Sequence, residues 1–220
     1  MGLFDILGPI MVGPSSSHTA GAVRMGLVGR QLLGETPREA HIVLHGSFAA
    51  TGSGHGTDRA LIAGLLGMEP DDGRIPDSFQ IAEREGMVFT FERRDLRNAH
   101  PNSALLSLTG ACGNHLSLQC ASIGGGRILV TALDGVAVSF SAELNTLIIR
   151  NQDKPGMVSL ISSLLAEAGV NIATLQLYRD KRGGSAAMVI EIDQSLSDEL
   201  LTVLNGQDGV LNATYIHVKN

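Results

Sequence analysis

Three short polar stretches concentrate the residue types that do chemistry. The first, Gly13-Pro14-Ser15-Ser16-Ser17-His18-Thr19, sets hydroxyls and an imidazole just ahead of a helix-like segment, Ala20 to Leu33. Amides at a helix N-terminus carry partial positive charge, so Ser15, Ser16, Ser17 and Thr19 are placed to cradle a carboxylate or phosphate; an ordinary N-cap is the plainer reading. The second, Thr51-Gly52-Ser53-Gly54-His55-Gly56-Thr57-Asp58, reads as a Gly-rich loop leading into an apolar helix over Leu61 to Leu66. Its glycines permit backbone conformations closed to other residues, while His55, Thr57 and Asp58 crowd titratable and hydrogen-bonding groups together; Asp58 is also a candidate helix cap. The third is Asn98-Ala99-His100-Pro101-Asn102, where Pro101 biases His100 toward extended backbone and an ordinary loop is the default.

Several familiar chemistries are absent from these stretches. No Lys follows the glycines, as a Walker loop requires, and there is no GxGxxG dinucleotide pattern. Six of the seven histidines fall in residues 1–142 (His18, His41, His45, His55, His100 and His115); His41 and His45 stand four apart but in a stretch that reads as a strand and not as a metal-binding helix, and no GxSxG elbow accompanies them. The three lysines, Lys154, Lys181 and Lys219, all lie beyond residue 142. The His-rich part therefore has no amine for a Schiff base, which argues against pyridoxal phosphate. Cys112 and Cys120, eight apart, match neither a CxxC motif nor a disulfide framework and are expected to be buried thiols.

The elements that must position these groups fall into two parts, 1–142 and 143–220. Each carries net charge −3, with 13 acidic against 10 basic side chains and then 9 against 6, so pattern and not charge marks the division. In the first part His41–His45 and Met87–Phe91 read as strands, and Leu116, Leu118 and Cys120 alternate into a hairpin that turns at Gly124-Gly125-Gly126 toward Ile128–Leu133. The second part reads strand, helix, strand, strand, helix, strand: Leu144–Ile149; a helix opened by Pro155 with Met157, Leu160 and Leu164 at helical spacing; Leu175 and Leu177; Met188, Ile190 and Ile192; a helix capped by Ser197 over Leu200, Leu201 and Leu204; and Thr214, Ile216 and Val218. That is a βαββαβ unit. The fold class is α+β, an N-terminal α/β part followed by a ferredoxin-like domain.

At 220 residues with 44% hydrophobic and 17% charged side chains, the chain has enough apolar material for a packed core without disulfides. The net charge of −6 supplies no basic field for coating nucleic acid. No apolar run approaches the roughly 18 residues of a membrane span, and Met1-Gly2-Leu3-Phe4-Asp5 lacks the cationic region of a signal peptide, so a cytoplasmic protein is expected.

In order, the stretches Gly13–Thr19, Gly52–Asp58 and His100-Pro101-Asn102 resemble the β chain of bacterial iron–sulfur-dependent L-serine dehydratase, an L-serine ammonia-lyase. The resemblance covers essentially the whole chain. It implies that residues 1–142 form a domain like the allosteric substrate-binding domain of some phosphoglycerate dehydrogenases, and that residues 143–220 form an ACT domain. It further implies a two-chain enzyme whose separate α chain carries a [4Fe-4S] cluster and which converts L-serine to pyruvate and ammonia, this chain being inactive alone. Two cysteines are too few to hold such a cluster here, and no metal is expected in this chain.

Carried over to the matching positions, the resemblance makes His55 the base for the Cα proton. Ser15, Ser16, Ser17, His18, Thr19, Gly54, Thr57, Asp58, His100 and Asn102 become substrate- or anion-binding residues. It also places an ACT ligand site at Asn151, Lys154, Gly156, Met157, Val158, Asn171 and Ile172, for an amino acid or a monovalent cation such as K⁺. A homodimer through the ACT domain, the N-terminal domain or both is implied as well. The alternative is a regulatory module that senses L-serine or a cation and takes no part in chemistry.

Overall fold

A computed structural model describes residues 10–218; the segment Met1 to Asp5, Lys219 and the side chain of Ser53 lie outside the described residues. The chain divides into two units, one ending at Asp134 and one beginning at Gly135.

The first unit is built on a sheet in which β1 (Pro37–Leu44) pairs in parallel with β2 (Val88–Arg93) and antiparallel with β3 (Ser103–Gly110). β4 (His115–Gly124) and β5 (Arg127–Leu133) continue the antiparallel ladder, giving the order β2-β1-β3-β4-β5. Joining β1 to a parallel neighbour requires a long crossover, and α2 (Gly46–His55), α3 (Thr57–Leu65) and α4 (Ser78–Arg84) supply it. Along β4 the inward residues alternate as expected, with Leu116, Leu118 and Cys120 buried.

α1 (Gly21–Leu33) lies against both this sheet and α3, and its glycines explain how closely. A Cβ on Gly26 would stand 2.4 Å from the Leu61 carbonyl oxygen, and one on Gly64 would stand 2.0 Å from that of Val23. Backbone therefore meets backbone at the α1–α3 crossing. A Cβ on Gly29 would touch Leu108 at 3.1 Å, which brings the same helix onto β3. Val23, Met25, Ile42, Phe48, Leu61, Ile62, Leu65, Leu106, Leu118 and Val130 fill the space between. Burying each larger one stabilises by about 1.5–3 kcal/mol.

The second unit contains β6 (Val136–Phe140), β7 (Thr146–Gln152), α5 (Met157–Glu167), β8 (Ile172–Arg179), β9 (Ser185–Ile192), α6 (Asp198–Asn205) and β10 (Val210–Ile216). From β7 onward this is the βαββαβ succession, with an antiparallel sheet in the order β10-β7-β9-β8. Its core joins Leu147, Ile149, Met188 and Ile190 of the sheet to Met157, Ile161 and Leu165 of α5 and Leu204 of α6. The helical period is as read, but the buried stripe of α5 runs through Ile161 and Leu165, leaving Leu160 and Leu164 partly buried at its flank. The Ser197 hydroxyl accepts the Leu200 amide at 3.3 Å and caps α6.

Four local expectations change. The Gly-rich stretch is not a loop: residues through His55 are the last turns of α2, and Gly56, at φ +69°, is the single hinge before α3. Glycine favours turns and weakens a helix by about 0.5–1 kcal/mol, so its abundance pointed to a loop, and packing around the buried Phe48 overrides that preference. Asp58 does not cap α3, because its Oδ1 accepts the neighbouring Arg59 amide from inside the first turn, where its charge still suits the helix dipole. Pro155 stands outside α5, whose cap is Gly156 in the left-handed region. Cys120 is buried, but Cys112 is exposed at the β3–β4 turn, where Glu35 accepts the amides of Ala111 and Cys112. In addition β3, β6 and α4 went unread, although buried residues alternate along β3 (Ala104, Leu106, Leu108) and β6 (Val136, Val138, Phe140).

Candidate functional site

The Ser-rich stretch forms a cap followed by a single π-helical turn, Ser16–Ala20, that feeds into α1. Ser15 is extended, its Oγ accepts the His18 amide at 3.2 Å and its carbonyl accepts the Thr19 amide at 2.8 Å. The Gly21 amide reaches back to the Ser16 carbonyl, closing the wide turn. Such turns are rare and recur at functional sites. Gly21 is required here: a Cβ would stand 2.3 Å from Oγ of Ser122 on β4. The cap reading of this stretch is thus correct for Ser15, and it leaves the half-buried Ser16, Ser17 and His18 at the helix entrance.

The second stretch arrives from the other side. Thr19, buried, donates through Oγ1 to the His55 carbonyl at 3.3 Å, which ties the α1 entrance to the end of α2. The rings of His18 and His55 lie 5.0 Å apart, and His18 rests edge-on against the buried Phe48 at 5.2 Å. Two further hydroxyls, which the sequence reading missed, approach His18 Nε2: Ser47 Oγ at 3.0 Å and Thr51 Oγ1 at 3.2 Å. They stand at i and i+4 on α2, a spacing that becomes visible only once Gly46–His55 is read as helix. His55 Nδ1 lies 3.2 Å from the Thr51 carbonyl. A carbonyl only accepts, so Nδ1 carries the hydrogen and Nε2 is left as a bare basic nitrogen. Burial, and secondarily the His55 charge, hold the His18 pKa below its ordinary value.

The third stretch closes the arrangement through its backbone. The Pro101 carbonyl accepts the Ser47 amide at 2.8 Å, and a Cβ on Gly46 would stand 2.5 Å from that oxygen. The Asn102 carbonyl accepts the amide of Ser122, the residue beneath Gly21. His100 is exposed and its Nδ1 accepts the Asn102 amide at 3.1 Å. Thr57 is fully buried behind Gly52, and its Oγ1 has no hydrogen-bond partner among the described residues. Gly54 is exposed with open space where a Cβ would be. All three stretches therefore gather around the start of α1 and the two ends of α2.

The other histidines are placed elsewhere. His45 Nδ1 accepts the Leu96 amide at 3.1 Å and lies 3.4 Å from Asp95 Oδ1, anchoring the loop that leads to His100. His41, held by Thr90 and Glu92, and His115, held by Thr109, line an open pocket of about 350 Å³ with Glu39, Ser107 and Asp134, toward the end of β1 away from His45. Among the described residues no group of three His, Cys, Asp or Glu side chains could hold a metal ion. Nor do the cysteines fit a cluster: Cys112 is exposed in a turn, while Cys120 is fully buried on β4, where burial pushes its thiol pKa up.

In the second unit, Asn151 is 1% exposed; its Nδ2 donates to the Gln152 carbonyl at 2.7 Å and its Oδ1 has no partner among the described residues. Lys154 is paired with Asp208 at 2.5 Å. Gly156, Met157 and Val158 form the N-terminal turn of α5. Asn171 and Ile172 follow the C-terminal end of α5, and Asn171 is engaged with Asp193 and Gln194. Eleven helical residues span about 16 Å, so within one chain the two groups are separated by the length of the helix.

Fold and site together define a class: a paired-imidazole α/β unit followed by an ACT-type βαββαβ unit. The Serine dehydratase beta chain family matches residues 2–84, and the ACT domain family matches residues 145–209. The L-serine dehydratase beta chain of Peptoniphilus asaccharolyticus is 38% identical over 216 residues, covering 98% of this chain and 97% of that one. A probable L-serine dehydratase beta chain of Bacillus subtilis is 39% identical over 214 residues, covering 97% of each. A D-3-phosphoglycerate dehydrogenase of Synechocystis is 28% identical over 87% of this chain but only 35% of its own length. The chain belongs to the L-serine dehydratase β-chain family.

Proposed function

We propose that this chain is the β subunit of an L-serine ammonia-lyase and contributes the base to a site completed by an α chain. The observation that carries this reading is the state of His55. Its Nδ1–H is committed to the Thr51 carbonyl, so Nε2 is free to take the poorly acidic Cα proton of L-serine. An imidazole suits that task at neutral pH. The N-terminal turn at Ser15–Thr19 suits the substrate carboxylate, since amides and hydroxyls converge there on a helix entrance. The Thr57 hydroxyl, fully buried behind Gly52, has no hydrogen-bond partner among the described residues. Loss of the β-hydroxyl then yields an enamine, which tautomerises and hydrolyses to pyruvate and ammonia.

A [4Fe-4S] cluster on the α chain would supply Lewis acidity toward the carboxylate and hydroxyl. This chain's two cysteines, far apart in environment, supply no ligand set for it.

The ACT-type unit serves regulation or assembly. Its candidate ligand is an amino acid or K⁺ at Asn151 and the first turn of α5, and β8, at the edge of its sheet, offers a route to a homodimer.

Replacing His55 with Gln and reconstituting with the α chain tests the assignment. Pyruvate formation is expected to fall by about 10²–10⁴-fold with circular dichroism unchanged. Turnover close to that of the unaltered enzyme would remove His55 from the chemistry.

A further inference from the structure

We propose that Thr51 is a positioning residue that imposes opposite tautomers on the two imidazoles of this site, through its hydroxyl for His18 and its carbonyl for His55. The argument is one of counting hydrogens. The Thr51 hydroxyl donates its only hydrogen to the Ser47 carbonyl, one helical turn back, at 2.8 Å. Toward His18 Nε2, 3.2 Å away, its oxygen is then an acceptor, so Nε2 carries the ring hydrogen. Ser47 Oγ, 3.0 Å from the same nitrogen, is a second acceptor for it.

The far side of the ring agrees. Ser15 Oγ already accepts the His18 amide, which leaves its own hydrogen to point at Nδ1, 3.5 Å away. A directional chain follows: Ser15 hydroxyl to His18 Nδ1, His18 Nε2–H to Thr51 Oγ1, Thr51 hydroxyl to the Ser47 carbonyl. On its other face the Thr51 carbonyl takes the Nδ1 hydrogen of His55 at 3.2 Å. A helical Thr bonding the carbonyl four residues back is common in itself. Here the acceptor side of the same hydroxyl meets an imidazole from the α1 entrance, 33 positions away in sequence. The rings lie 5.0 Å apart, so His55 stands beside a neighbour whose Nε2 proton is already committed.

The tautomer assignment concerns this chain alone; its consequence for turnover rests on the proposed lyase reading. The full-length chain labelled with ¹⁵N-histidine reports both ring nitrogens by long-range ¹H–¹⁵N NMR. His18 is expected as the Nε2–H form and His55 as the Nδ1–H form. Thr51→Val, close to isosteric, should leave His55 unchanged and convert His18 to an averaged signature; Thr51→Ser should restore it. Reconstituted with the α chain, Thr51→Val should lower kcat about tenfold, the value of one net hydrogen bond, with recovery in Thr51→Ser. An unaltered chain showing His18 as Nδ1–H overturns the assignment, and needs no variant to fold. A Thr51→Val chain with an unchanged His18 spectrum, or with a changed spectrum and turnover within twofold, overturns the positioning role. Expected spectra together with a fully active His55→Gln enzyme would instead dismiss the lyase assignment and leave the tautomers standing.

Discussion

His18 is the residue where burial and chemistry compete most directly. Desolvation first, and the His55 charge second, lower its pKa from an ordinary value of 6.5. The native state therefore binds the His18 proton less readily than the unfolded chain does. Stability rises with pH wherever the unfolded state holds more protons. The contribution of His18 is thus fully present above pH 6.5, is lost as pH falls from 6.5 toward the lowered native value, and is constant below that. Urea midpoints measured across this window should show His18→Gln with a shallower acid-side decline than the unaltered chain. Parallel curves would mean that the imidazole is not desolvated as the structure has it.

Among the elements, the crossing of α1 and α3 holds the helix that follows His18 against the helix that follows His55. Its closeness depends on glycine. A methyl group at Gly64 would meet the Val23 carbonyl oxygen at 2.0 Å, the Leu27 amide nitrogen at 2.8 Å and Gly26 Cα at 2.9 Å, all of them backbone. None can turn aside, so the helices must part. Overpacking of this kind costs about 1–3 kcal/mol, which outweighs the gain of about 1 kcal/mol for Ala over Gly in a helix only when the crossing is as tight as seen. Gly64→Ala is therefore expected to lower the unfolding free energy. Gly54→Ala, on α2 with nothing within 4 Å of the new methyl, should hold or raise it. Equal stabilities for the two variants would refute the backbone contact.

For the molecule as a whole, the proposed reading offers two candidate amino-acid sites, one in each unit. Asn151 Oδ1, 1% exposed and without a partner among the described residues, costs about 1–3 kcal/mol, a penalty that a ligand donating a hydrogen bond, or a cation, would recover. Calorimetric titration of the full chain with L-serine is expected to show binding that weakens at least about tenfold in Asn151→Leu and survives in His18→Gln. The reverse order would place the ligand at the α1 entrance. No helix among the described residues is long and apolar enough to cross a membrane.

The βαββαβ unit was legible from sequence because its elements carry clean periods: alternation at Met188, Ile190 and Ile192, helical spacing in α5, and the Ser197 cap. Residue identity also located His18, His55 and His100, since imidazoles beside Ser, Gly and Pro stand out whatever the backbone does. The conformation of the Gly-rich stretch was not legible. Glycine has no intrinsic preference strong enough to announce a helix, and α2 is stabilised by packing, with Phe48 fully buried and the Pro101 carbonyl holding its first turn. The roles of Ser47 and Thr51 followed that conformation, because only a helix stacks positions four apart. Their meeting with His18 is a contact between residues 29 and 33 apart in the chain, and such distances are decided by how elements pack, not by what any one of them prefers.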